Sequence, residues 1–457
     1  MKRIALVSLV SLVSFVSLVW PGPIGAVPGK RIEYGDLPAA LQRRWASKAE
    51  FTAYVRDVET DTDRRVADGE REHLIHYALQ SAVFTTRPRI EPAISSLAFV
   101  NALSQAERDR LVEDPAYVPN ARWPPDERAR VVDLLNALRK GPTDARLAYF
   151  RKLLRFDAGA PTAESLYPDY VRVVRFLYRK EFLAGGDAAT ISRSYQSRAH
   201  SSDTQIEAGL GVYLGLGTLR ALESSPRIRS VVVIGPGLDL APRTDLVDAV
   251  PPQSYQPFAV ADALLRLSLS TESQLSIRSV DVNPRVVQFL QAVGRAPITL
   301  HLFTGVAETA DTPFSAEYRA YLNELGRAIG QDVAAPRRIA TDGRYRRSIL
   351  VRSGVRQAIS AERLNIITER PAAGDGADLV IATNVLSYFD DRQLALALAN
   401  IAASLRPGGY LLHNESREGL VELAGAVGLP VLQMRTAVLG GPAARPLYDS
   451  IWLHRKP

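Results

Sequence analysis

The 457-residue chain contains no cysteine. That excludes disulfides, zinc–thiolate centres, cysteine nucleophiles and a lipidated N-terminal cysteine. Histidine is scarce as well, with six residues scattered along the chain, so no metal site is expected. The closest pair, His73 and His76, falls at i and i+3 on an expected helix, where packing or a solvated face is the ordinary explanation. Lys and Arg outnumber Asp and Glu only by 56 to 49. No basic run with interleaved aromatics occurs, so nucleic-acid binding is not indicated. Beyond the N-terminus no apolar run is long enough to span a bilayer. What is present is an ordinary globular composition, 46% hydrophobic and 23% charged, on a length that accommodates two or three domains.

The N-terminus is distinctive. Met1-Lys2-Arg3 is basic, residues 4–20 are apolar apart from serines, and Pro21-Gly-Pro-Ile-Gly25-Ala26 follows with small residues. This is the layout of a secretory signal peptide spanning residues 1–26. The apolar run is near the lower limit for a membrane span, so an uncleaved anchor is the alternative. The expected location is exported (periplasmic or extracellular) or N-terminally membrane-anchored, and cytoplasmic if the start is misassigned. Membrane contact is expected only through this segment.

Residues 27–185 show helical spacing and no strand alternation, over 37–58, 64–84, 126–138, 145–154 and 167–182. An all-α N-terminal domain is expected there, and Ala184-Gly-Gly-Asp187 marks its boundary. A polar cluster follows at His200-Ser-Ser-Asp203-Thr204. It reads either as a cap for the next helix or as a ligand contact. Gly209, Gly211, Gly215 and Gly217 come next with no strand before them, so close helix–sheet packing explains them better than a phosphate loop.

From residue 229 strands and helices alternate, which predicts an α/β doubly wound, mostly parallel Rossmann-like sheet over 186–457. Expected strands lie at 230–234, 275–280, 298–303, 363–368, 378–383 and 409–414. A C-terminal antiparallel hairpin is expected over 431–438 and 447–454. Residues 304–361 are too long for a loop and read as a mostly helical insertion. The first strand runs into Gly235-Pro-Gly237-Leu-Asp239, and the second ends on Asp281. A glycine turn after a buried strand lets a ligand approach the backbone, and an acid at the next strand end can accept from ribose hydroxyls. From Asp239 to Asp281 is 42 residues, against about 20 in the usual pattern. A proline-rich loop over 241–256 accounts for the excess and would lie at the ligand mouth.

In order, the Gly-x-Gly turn, the acid at Asp281, and Leu405-Arg-Pro-Gly408-Gly409 leading into a strand resemble the class I S-adenosylmethionine-dependent methyltransferases. Leu364-Asn365-Ile366-Ile367 and Asn384-Val-Leu-Ser-Tyr388-Phe389 are most similar to the chemotaxis-receptor carboxyl methyltransferases. The resemblance implies S-adenosyl-L-methionine as cofactor, with Gly235 and Gly237 cradling it and Asp239 near its amino-acid end. It implies Asp281 on the ribose, Asn365 and Ile366 beside the adenine, and Asn384 near the sulfur. The sequence departs from the pattern in having Val233 where an acid is common and Thr383 where the receptor methyltransferases have Arg.

The expected function is S-adenosylmethionine-dependent methyl transfer to an unidentified small-molecule or protein acceptor. Such chemistry is mainly alignment, with a base needed only for a protonated nucleophile. His200, Asp203 and Tyr388 are the catalytic candidates. Glu415 reads more as surface than as site. An exported protein would be separated from a cofactor made in the cytoplasm, so the alternative is an exported, non-catalytic Rossmann-like ligand-binding module.

Overall fold

The computed structural model describes residues 29–457 except 121, 160, 186, 224–226, 243–245, 337–342, 372–375 and 443–445. The expected leader, 1–26, lies outside the described residues. Among the described residues no helix is long and apolar enough to cross a membrane.

The N-terminal part is helical. Helix α1 (Lys48–Gln80) is capped by Ser47, whose side chain accepts from the Glu50 N–H, satisfying one of the free amides of the first turn. The helices expected over 37–58 and 64–84 merge into this one across 48–80, because the polar stretch between them contains no glycine or proline to break it, while Ala39–Gln42 forms a separate short helix before it. Helices α2 (Pro92–Asn101), α3 (Pro125–Lys140), α4 (Ala145–Leu153) and α5 (Tyr167–Tyr178) close a core around Leu74, Tyr77, Leu134, Phe150 and Tyr170.

Then comes the α/β part. Its strands are β1 (Ser230–Ile234), β2 (Ser276–Asp281), β3 (Thr299–Phe303), β4 (Gly330–Val333), β5 (Arg346–Val351), β6 (Ile359–Arg363), β7 (Ala377–Ala382), β8 (Leu405–His413), β9 (Val431–Gly440) and β10 (Leu447–Arg455). Seven form one sheet in the order β9-β10-β8-β7-β1-β2-β6. The pairings from β6 through β8 are parallel. Strand β10 runs antiparallel between β8 and β9, so the expected closing hairpin is present. Side chains on β1 alternate between two cores, Val231 and Val233 into one and Val232 and Ile234 into the other. That two-sided burial is why the strand reads as an unbroken apolar run. Helices α6 (Ala188–Gln196), α7 (Ala208–Leu222), α8 (Gln256–Arg266), α9 (Pro284–Val293), α10 (Ala316–Glu324) and α11 (Asp391–Ser404) complete the domain.

Three expectations need correction. Strand β3 is not in the main sheet. It pairs with β5, and β5 with β4, in a separate three-stranded antiparallel sheet. The stretch 304–361 is therefore not a helical insertion: it holds α10, a short helix at Ser353–Gln357, and β4 and β5. Strand β4, Gly-Gln-Asp-Val, is a largely exposed edge, and an edge strand without an apolar face leaves no alternation to read. Finally, the strand expected at 363–368 is β6 at 359–363. Residues 365–369 are a turn, in which the Thr368 and Glu369 N–H groups donate to the Asn365 carbonyl. Leu364, Ile366 and Ile367 are apolar because the turn is buried, not because it is a strand.

Candidate functional site

A cavity of about 970 Å³ opens at the carboxyl ends of β1, β2 and β7. Here strand order runs outward in both directions from β1, the switch point where open α/β sheets place ligands. Gly235, Gly237 and Asp239 line it from the loop after β1, Asp281 from the end of β2, Asn365 and Ile366 from the turn after β6, and Asn384 from the loop after β7. His200, Asp203, Tyr388 and Glu415 line it too. The structure thus brings every sequence-derived candidate to one cavity.

The turn after β1 needs its glycines for two reasons. Gly235 and Gly237 have φ of 61° and 71°, the left-handed region that costs other residues about 1–2 kcal/mol. A side chain at 235 would also stand 2.5 Å from Val385 Cγ2, and one at 237 would stand 2.7 Å from the Ser202 carbonyl oxygen. Protein neighbours, rather than ligand approach alone, enforce glycine here. Segment 198–204 crosses this turn. The Leu238 N–H donates to the Ser202 carbonyl at 2.7 Å, and the Ser202 hydroxyl donates to the Leu238 carbonyl at 3.0 Å. The helix-cap reading of this cluster does not hold, because α7 starts after Glu207 with no side-chain cap bond.

Asp281 does not cap the next helix. Asn283 does that, accepting from the Arg285 N–H at 2.9 Å. The Asp281 Oδ1 accepts from the Asn283 N–H at 2.8 Å, with the Gly237 N–H a second favourable neighbour. Burial outweighs both and pushes its pKa up to about 7, with Glu70 adding to the rise.

Helix α1 backs the site from behind in a way the sequence did not disclose, reaching the cavity itself at Thr62. Gly69 of α1 packs so closely on segment 198–204 that a side chain there would meet the His200 carbonyl oxygen at 1.9 Å. One turn on, His73 Nε2 lies 3.2 Å from the Ser201 hydroxyl and 3.6 Å from the Asp203 carboxylate. Glu70 accepts from Asn283 Nδ2 at 2.6 Å, and the Thr62 hydroxyl accepts from Asn365 Nδ2 at 3.1 Å. The loop over 241–256 is not an open lid. The Arg146 guanidinium of α4 donates to the carbonyls of Leu240, Val247 and Val250 at 2.5–2.7 Å. Asp248 accepts from Ser81 and Ala82.

Electrostatics sort the catalytic candidates. Burial pushes the Asp203 carboxyl up, but His73, Arg198 and His76 outweigh it and hold it well below the usual carboxylate range. Such a carboxylate is a poor base. Burial pushes the Tyr388 hydroxyl up to about 12, against the nearby Arg198. Its oxygen accepts from Arg198 Nη1 at 3.4 Å, which leaves the phenolic proton for another acceptor. Burial, aided by Arg65 and Arg64, drives the His200 pKa well below its ordinary value, so its imidazole is neutral. Its ring lies 5.5 Å from the Tyr388 ring, tilted by 51°.

Asn384 adopts φ of 59°, unusual outside glycine. Its N–H and Oδ1 both pair with the Asn414 side chain at 2.8 Å. Asn414 Nδ2 in turn donates to Asp449 at 3.0 Å. Val233 is completely buried in the sheet, so the position where an acid is common serves the core in this chain.

Residues 332–423, from β4 through the helix after β8, match the family model described as CheR methyltransferase, SAM binding domain. Both segments that carried the resemblance, 364–367 and 384–389, lie inside the match, which bears out the resemblance and the cofactor it implied. No curated protein sequence matches the chain. Among solved structures, the N-methyltransferase NodS from Bradyrhizobium japonicum WM9 with S-adenosyl-L-homocysteine is similar at 15% identity, over 53% of this chain and 86% of that one, with a TM-score of 0.27. The magnesium protoporphyrin IX methyltransferase ChlM from Synechocystis PCC 6803 is similar at 9% identity, over 55% and 84%, with a TM-score of 0.28. At such scores the fold assignment rests on the strand order described above.

Proposed function

We propose that this protein is an S-adenosylmethionine-dependent methyltransferase. One observation carries the reading: Asp281, buried at the end of β2, shares one cavity with the left-handed Gly235–Gly237 turn, inside a sheet whose next portion matches an S-adenosylmethionine-binding domain. When bound, the cofactor supplies an already activated methyl group, so the protein's work is alignment and exclusion of water. The residues present fit it. Asp281 offers a carboxylate to ribose hydroxyls, the 364–367 turn offers an apolar wall to a purine, and Asn384 stands at the methyl-donor end. Tyr388, whose hydroxyl oxygen accepts from Arg198, lines the same cavity. The turn, Asp281 and the pocket segments, retained together, outweigh the core valine at 233 and the expected leader, which are the grounds for the non-catalytic module reading.

The test is calorimetric titration of residues 27–457 with S-adenosylmethionine and S-adenosylhomocysteine. Micromolar binding that is lost in Asp281→Ala supports the assignment. Absence of binding to a folded protein overturns it.

A further inference from the structure

The cavity is strongly acidic although the chain is basic. Among the described residues eight Asp and Glu side chains line it, against three Lys and Arg, in a protein of net charge +7. One of the three cations, Arg198, is already spent on Glu72 at 3.3 Å and Asp203 at 3.8 Å. An acceptor carrying a carboxylate would enter a field of its own sign, which costs binding and slows encounter.

Beyond the cofactor residues the cavity continues along the first turn of α7, where polar atoms stand without partners. Glu207 Oε1 accepts from the Gly305 N–H at 2.6 Å, but its buried Oε2 has no hydrogen-bond partner. The Tyr318 hydroxyl and the Val306 N–H lie near enough to stabilise the carboxylate against burial, but Oε2 and the Tyr318 hydroxyl are both left without a partner at hydrogen-bond geometry. Tyr321 is 3% exposed and lines the cavity, yet its hydroxyl is likewise unpartnered. It presses so closely on α7 that a side chain at Gly209 would meet it at 2.2 Å. Asp449, which accepts from Asn414 Nδ2, lies 3.8 Å from where a side chain at Gly211 would start. Around these groups the lining is apolar: Val212, Phe258, Leu302, Leu325 and Ile329. A buried polar atom left unpaired is costly, and here the unpaired atoms border the cavity, where an entering ligand would supply the missing partner.

Resting on the methyltransferase reading, we propose that the acceptor is a primary or secondary amine on an apolar frame, and that its ammonium is bound by Glu207 and Tyr321. An ammonium has donors only, which matches an unpaired carboxylate oxygen and an unpaired phenolic oxygen. The apolar lining takes the hydrocarbon or aromatic body. An ammonium becomes a nucleophile only by losing one proton, and Glu207 is the group that receives it, leaving a neutral amine beside a neutral acid. Burial raises the Glu207 pKa, which suits that role. The proposal separates this chain from carboxyl methylation, the chemistry its sequence pattern resembles.

The experiment uses two probes of nearly equal size and opposite charge, phenethylamine and 3-phenylpropionate. Each is titrated into residues 27–457 saturated with S-adenosylhomocysteine. Saturation with S-adenosylhomocysteine tests the methyltransferase reading by itself, so its failure is distinct from failure of the amine reading. The expected result is amine binding at least tenfold tighter than acid, the scale of one charge-assisted hydrogen bond. Glu207→Gln should erase most of the preference, and Tyr321→Phe should reduce it about threefold or more, with S-adenosylhomocysteine affinity within twofold of the parent in both. Circular dichroism confirms folding, and Tyr321→Phe alone decides if Glu207→Gln does not fold. Equal affinity, preference for the acid, or no amine binding at millimolar concentration overturns the proposal.

Discussion

Asp281 offers the sharpest handle on the site. It is nearly buried, it accepts from the Asn283 N–H at 2.8 Å, and its pKa is raised to about 7. On the proposed assignment ribose hydroxyls donate to the ionised carboxylate, so proton and cofactor would compete for it. Hydrogen bonds to a charged group are worth about 1.5–3 kcal/mol, or roughly 10- to 150-fold in affinity. Asp281→Asn keeps the size and one carbonyl oxygen but removes the charge, and should weaken binding within that range. Asp281→Ala also strips the Asn283 N–H of its acceptor, so it should lower stability as well as affinity.

The pH dependence follows with its sign. The cofactor-free site is mostly ionised at pH 8 and mostly protonated at pH 6, so affinity for S-adenosylhomocysteine should fall about tenfold from pH 8 to pH 6. Asp281→Asn should flatten that profile. Stability of the cofactor-free protein runs the other way. The folded state holds the Asp281 proton to higher pH than the unfolded chain, so this group's contribution declines as pH rises from about 4 to about 7. The melting-temperature gap between pH 5 and pH 8 should narrow in Asp281→Asn. Calorimetry at fixed ionic strength measures the affinities, and scanning fluorimetry the melts. A flat wild-type affinity profile, or an Asn variant that binds as tightly as wild type, would refute the ribose assignment.

Three further outcomes are expected. Gly235→Ala should cost about 1–2 kcal/mol for the left-handed backbone plus repulsion from Val385, and Val385→Ala in the same chain should restore part of the loss, read from urea unfolding. Arg146→Met leaves three carbonyls without their donor and should speed hydrogen exchange across 238–253 while α3 and α5 stay protected; unchanged exchange there would show the clamp to be dispensable. N-terminal sequencing of protein from the native host should begin at or near Val27, and an intact cytoplasmic chain starting at Met1 would contradict export.

How far the site was legible depended on what each residue does for the backbone. Strands β1 and β7 are buried on both faces, so their apolar runs and the turns that end them stood out. Helix α9 was readable to the residue, because Pro284 opens it and Gly294 follows it. Segment 364–367 is recognisable by its letters yet reads as a strand, since burial of the turn makes Leu364, Ile366 and Ile367 apolar, while the Asn365 side chain that accepts from the Ile367 N–H and shapes the turn carries no such signal. The larger omission was α1. Glu70, Glu72, His73 and His76 are all buried, but at spacings of three and four they look like a solvated helix face. Only knowing that another domain covers that face turns them into site residues. The one available signal was their density, four titratable groups within seven positions.

That omission bears on how the two domains divide the work. The α/β part lines the cavity chiefly through backbone geometry, a left-handed glycine turn and strand-end carboxylate and amide groups. The helical part acts at one remove: Glu70 orients Asn283, Thr62 orients Asn365, and His73 fixes the Ser201–Asp203 segment that crosses the glycine turn. Arg65 completes the arrangement, donating to the carbonyls of Arg198, Tyr388 and Tyr195 with one guanidinium and tying the segment to the loop after β7. None of these contacts is repeated within the α/β part. The two parts therefore build the cavity together rather than as a module with an appendage, because the segment bearing His200 and Asp203 has its position dictated from both sides.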